Sequence, residues 1–151
     1  MTVQEGRFSQ TVVVVLRRAG WHEGRKWNWK HRWGSVEGQL SEAARSILDE
    51  FGGLRLVWTA NDGRRTDLDL QPSILGSGIH IREWLHKNSL EAGVELYPLG
   101  SGDDDRHALG IGADGQIYEI RSPLYLMAGS FDEFLHVMID GWEPLWKRQE
   151  S

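Results

Sequence analysis

The chain has 151 residues, 40% apolar and 26% charged, with no cysteine and a net charge of −5. That length and balance fit one folded domain with its own core, and the absence of cysteine excludes disulfide scaffolds and thiolate metal sites. The negative charge argues against direct nucleic-acid binding, which needs clustered Lys and Arg, and is compatible with a basic protein partner.

The segment Met1 to Gly6 is polar, and no apolar run approaches the roughly twenty residues of a membrane helix. A cytoplasmic protein without membrane contact is therefore expected. Ser9 is a candidate cap for a helix over Gln10–Ala19, with Gly20 as its stop. The run Val12–Val15 also suits a buried strand. A turn follows over Gly20–Arg25, then a less regular helix over Trp27–Gln39. Ser41 caps a third helix with Ala44, Ile47, Leu48 and Phe51 on one face, ended by Gly52-Gly53.

Leu54–Trp58 alternates as a half-buried strand does. Asp62-Gly63 reads as a hairpin turn of the primed type, and Thr66, Leu68 and Leu70 alternate on the return strand up to Pro72. Gly76-Ser77-Gly78 reads as a loop. Ile81, Trp84 and Leu85 mark a short helix that stops near Gly93. From Val94 the chain enters a sheet, with strand-like runs over Ala108–Ile111, Gln116–Ile120 and Leu124–Met127 and Ala113-Asp114-Gly115 as a second hairpin connection. Phe131, Phe134, Leu135, Met138 and Ile139 share one face of a closing helix that ends at Gly141. Ser130 and Glu133 fit a capping box, with Ser130 accepting from the Glu133 N–H and the Glu133 carboxylate reaching back to the Ser130 N–H. The tail from Trp142 frays unless Trp142 or Trp146 docks. The expected fold class is α+β, an antiparallel mixed-order sheet packed against N-terminal helices and a C-terminal amphipathic helix.

Several features invite chemistry. Asp103-Asp104-Asp105 offers carboxylates for a hard cation or for basic residues of a partner, but it lacks the glycine bend and closing glutamate of a calcium loop. None of the six histidines is paired at a zinc-helix spacing. Ser9, Ser41 and Ser130 are explained as caps, and no nucleophile elbow or phosphate-binding loop is present. Glu37, Glu42, Asp49 and Glu50 fit solvated helix faces. Eight tryptophans are many for this length, with Trp21, Trp27, Trp29 and Trp33 crowded together. Some fill a helix–sheet core, and others suit a binding surface.

The order of these anchors resembles the third family of the SUKH superfamily of bacterial immunity proteins, over about Phe8 to Gly141. Phe8-Ser9 with Leu16 and Ala19-Gly20-Trp21 is similar to the family's opening helix, and Gly24-Arg25 to the turn after it. Phe51-Gly52-Gly53-Leu54, Leu96-Tyr97-Pro98-Leu99-Gly100, Asp114-Gly115-Gln116-Ile117-Tyr118 and Gly129-Ser130-Phe131 continue the pattern. Gln71 before Pro72 and the tryptophan-rich segment Lys26–Trp33 depart from it. The resemblance implies one domain that binds and neutralises a cognate protein toxin, many of which are nucleases or deaminases, with no catalysis and no cofactor. Asp103, Asp104, Asp105, Trp27 and Trp29 are the expected contact residues. A hydrolase using carboxylates in a sheet-edge pocket and a regulatory protein-interaction domain are the alternatives.

Overall fold

The computed structural model describes residues 7–27, 41–71, 79–102, 107–120 and 124–150. Most of the expected second helix, the loop at Gly76-Ser77-Gly78, Pro72, Trp29 and Asp103–Asp105 lie outside the described residues.

Helix α1 spans Gln10–Ala19, so the valine run is helical. The Ser9 hydroxyl accepts from the Val12 N–H, and Gly20 leaves the helix at φ +109°. Helix α2, Glu42–Phe51, is capped by Ser41 in the same way. Strands β1 (Arg55–Thr59) and β2 (Arg65–Asp69) form a hairpin. Its loop holds three residues, Asn61 to Gly63, because the Ala60 N–H bonds to the Arg64 carbonyl. The expected two-residue primed turn is thus corrected. A three-residue loop needs positive φ only at its last position, and Gly63 supplies it at +85°. Asp62 Oδ1 holds the Arg64 N–H at 3.0 Å, and the loop Ala113-Asp114-Gly115 repeats this with Asp114 and Gln116.

Helix α3 runs from Ile79 to Ala92, longer than expected, and ends before Gly93 at φ +77°. Strands β3 (Leu96–Gly102), β4 (His107–Gly112), β5 (Ile117–Ile120) and β6 (Tyr125–Ala128) complete a six-stranded antiparallel sheet. The α+β class holds, but the strands stand in chain order rather than in mixed order. Tight hairpins join β1 to β2 and β4 to β5, and even the path through α3 returns β3 beside β2.

The register of β3 on β4 shifts between Pro98 and Gly100. Proline has no N–H to give the ladder and is tolerated at such a bulge. At Gly100 an added Cβ would strike the carbonyl oxygen of Asp69, so glycine lets β2 lie against β3.

The core lies between one sheet face and helices α1 and α2 with the closing helical segment. Val12, Leu16, Phe51, Phe131, Phe134 and Leu135 meet Leu56, Leu68, Leu99, Ile111 and Ile117 there. The closing segment is not one α-helix. Helix α4 covers Phe131–Leu135, and His136–Asp140 continues with π-helical turns up to Gly141 at φ +79°. The wider turn changes which side chains face inward. His136 and Val137 are buried while Met138 is only half-buried. The Ser130 cap forms as expected, but the Glu133 carboxylate reaches the Gly129 N–H rather than that of Ser130. The tail docks as helix α5, Leu145–Glu150, with Trp146 stacked on Tyr125 at 4.8 Å and Arg148 bonded to Glu133.

Candidate partner-binding surface

Of the expected contact residues, only Trp27 lies among those described. Gly24, at φ +75°, turns the chain back so that two donors reach the end of α2. Arg25 donates to the Glu50 carbonyl at 2.8 Å and the Trp27 N–H to the Asp49 carbonyl at 2.7 Å. Those carbonyls belong to the last helical turn, which has no partners of its own there. Burial lowers the pKa of Arg25 below its ordinary value. The half-buried Trp27 ring then lies on Gly52-Gly53, where a Cβ on Gly53 would come within 2.5 Å of ring carbon Cε2. The glycine pair is therefore both a helix stop and the seat of an indole.

Trp21 is buried and donates from Nε1 to Glu50 Oε2 at 3.0 Å, as a core tryptophan with a satisfied N–H does. Trp142 is 53% exposed and stacks on His136 with centroids 4.4 Å apart. The described tryptophans thus divide between core and surface.

Two polar clusters tie the chain ends together. Arg7 makes two 3.0 Å bonds to Glu50 and bonds of 2.7 and 3.0 Å to Asp132, with its guanidinium 4.6 Å from the Phe8 ring centroid. Burial acts to lower its pKa, but the Asp132 and Glu50 carboxylates outweigh that and hold it above its ordinary value. Beside this, His136 donates from Nδ1 to the Asp132 carbonyl, the tautomer that leaves Nε2 to accept the Ser9 N–H at 3.3 Å. These carboxylates and this imidazole are held by internal partners. Among the described residues, no three His, Asp or Glu side chains are placed to hold a metal ion.

A groove of about 310 Å³ opens between α1 and the β1–β2 hairpin. Val15, Ala19, Val57 and Trp58 give it an apolar floor, and Arg18, Arg55 and Arg65 come to it from three different elements. Sequence reading overlooked it. The signal was present in Arg55 alternating with Leu54 and Leu56, and in Arg18 at the end of α1, but only the fold joins them.

The family model described as SUKH-3 immunity protein matches residues 8–141. No curated protein and no solved structure matches the chain.

Proposed function

Since the chain belongs to the SUKH-3 immunity protein family, we propose that it protects its bacterium by binding a cognate toxin domain. The toxin, a nuclease or deaminase, is neutralised by covering its active site or substrate groove. The chain itself performs no catalysis and needs no cofactor. The observation that carries this reading is the extent of the family match, which runs from Phe8 before α1 to Gly141 after the π-helical turns.

The surface supports a binding role. Trp27 is half-buried against Gly52-Gly53, a placement that suits an aromatic anchor at an interface. Trp27 and Trp29 are its proposed aromatic contacts. Asp103, Asp104 and Asp105 are its proposed charged contacts and steer a basic toxin towards it. No helix among the described residues is long and apolar enough to cross a membrane. The cytoplasm, where a nuclease or deaminase would act, is the proposed compartment.

The test is co-expression with the toxin domain encoded beside its gene. A stable complex and cell survival are expected. Cell death without complex formation overturns the reading.

A further inference from the structure

The groove against α1 runs along an edge of the sheet. Burial along β1 is exposed, buried, half-buried, buried, exposed, so Leu56 and Trp58 face the core while Arg55, Val57 and Thr59 face away. Yet Trp58 lines the groove together with Arg55, Val57 and Thr59. Successive residues of a strand point to opposite faces, and a groove that follows the strand's edge is within reach of both.

Backbone directions agree. The Leu70 N–H bonds to the Leu54 carbonyl and the Ala60 N–H to the Arg64 carbonyl, while Leu56 pairs with Leu68 and Trp58 with Thr66. Antiparallel bonding alternates, so these even-numbered residues turn their backbone groups to β2 and Val57 and Thr59 turn theirs outward. Among the described residues β1 pairs with β2 alone.

Charge at this edge opposes that of the chain. Arg18, Arg55 and Arg65 line the groove of a protein with net charge −5. Arg55 is held in place by the buried Asp67 through bonds of 3.2 and 3.0 Å. Arg18 and Arg65 are exposed. The buried indole N–H of Trp58 finds no acceptor among the described residues.

We propose that this edge receives an extended acidic segment of the toxin as an added strand. The segment's carboxylates pair with Arg18 and Arg65, and its apolar residues rest on Val15, Ala19 and Val57. Strand addition draws affinity from main-chain bonds and specificity from alternate side chains, which suits an edge with a basic rim and an apolar floor. A second copy does not fit, because two such edges would set arginine against arginine. A nucleic-acid strand would gain phosphate contacts but cannot extend the backbone ladder. The identity of the occupant rests on the toxin-binding function proposed above.

The test is amide hydrogen exchange on the full chain with a short, blocked peptide alternating glutamate and valine. At saturation the Val57 and Thr59 amides are expected to exchange at least about tenfold more slowly, as an added backbone bond requires. The exposed variant R18E/R65E should weaken peptide binding about tenfold, the sum of two exposed ion pairs. Unchanged exchange at millimolar peptide overturns the proposal, as does equal protection by a lysine–valine peptide or a short oligonucleotide. A toxin complex that leaves these two amides unprotected overturns the edge site but not the immunity function. Peptide protection without any toxin complex supports the edge site and overturns the immunity function.

Discussion

Ser9 and Asp140 stand 131 residues apart, and the Ser9 hydroxyl donates to Asp140 Oδ2 at 2.7 Å while accepting from the Val12 N–H. One side chain thus caps α1 and fastens it to the π-helical turns. Ser9→Ala removes both bonds and is expected to cost about 1–3 kcal/mol in urea unfolding. Ser9→Asp keeps a capping oxygen but sets a second carboxylate against Asp140. It should be no more stable than Ser9→Ala, the reverse of the order in an isolated helix. Stability equal to the parent protein in Ser9→Asp would mean that Asp140 does not feel this cap.

The indole of Trp27 and the backbone of Gly53 occupy adjoining space. Gly53→Ala meets two obstacles, a φ of +80° and the Trp27 ring within 2.5 Å of the new methyl. The backbone penalty alone is about 1 kcal/mol, and the steric conflict should raise the total to about 3 kcal/mol. In a Trp27→Ala background only the backbone penalty should remain. A double-mutant cycle therefore reads the conflict directly as a coupling of about 2 kcal/mol. Additive losses would place the ring elsewhere.

Local chemistry was legible where one residue type answers one local demand. Ser9, Ser41 and Ser130 cap helices, and Gly20 and Gly141 end helical segments in the left-handed region. The alternation of Leu54 to Trp58 gave a strand with the right faces. What depends on distant packing was not legible. The π register of His136–Asp140 serves contacts with Phe8 and Ser9 just before α1, and no periodicity within the segment announces it. Likewise Pro98 and Gly100 read as a strand end. Their purpose, a bulge that admits the Asp69 carbonyl, is fixed by β2. Arg7, the hub for Glu50 and Asp132, follows a polar stretch in which nothing local marks its distant partners. The groove was missed for the same reason, since its arginines lie far apart in sequence and share a surface only after the hairpin folds.

Tyr97 gives the fold an alkaline limit. Burial, then the 2.6 Å bond to Glu95 Oε2 and its charge, push the phenol up to about 12 from an ordinary value of 10.0. A raised folded-state pKa favours the neutral phenol in the native protein. The resulting stability is fully present below pH 10, the unfolded value, and is lost as pH rises through about 12. The loss by pH 12 should be about 2 kcal/mol at most, with the share of solvent near the hydroxyl reducing it. Tyr97→Phe cannot ionise and should flatten this part of the stability profile, leaving a smaller slope in the same direction from Tyr118, which burial and then Asp114 also raise. Equal slopes for Tyr97→Phe and the parent between pH 10 and 12 would show that Tyr97 ionises alike in both states.

The proposed acidic contact and the proposed basic edge make opposite demands on one partner, and charge substitution separates them. Changing Asp103, Asp104 and Asp105 together to asparagine moves the net charge from −5 to −2. Exposed Glu83, Glu91 and Glu143 changed to glutamine make the same overall shift at other places. If the aspartates meet basic residues of the toxin, the asparagine variant should associate several-fold more slowly than the glutamine control at low salt. The two rates should converge above about 0.1 M salt, where screening acts within about 10 Å. The dissociation rate should change less, because rim charges act mainly on encounter. Equal low-salt association rates for the two variants would remove the aspartates from the contact surface and leave the arginine-lined edge as the charged feature that selects the partner.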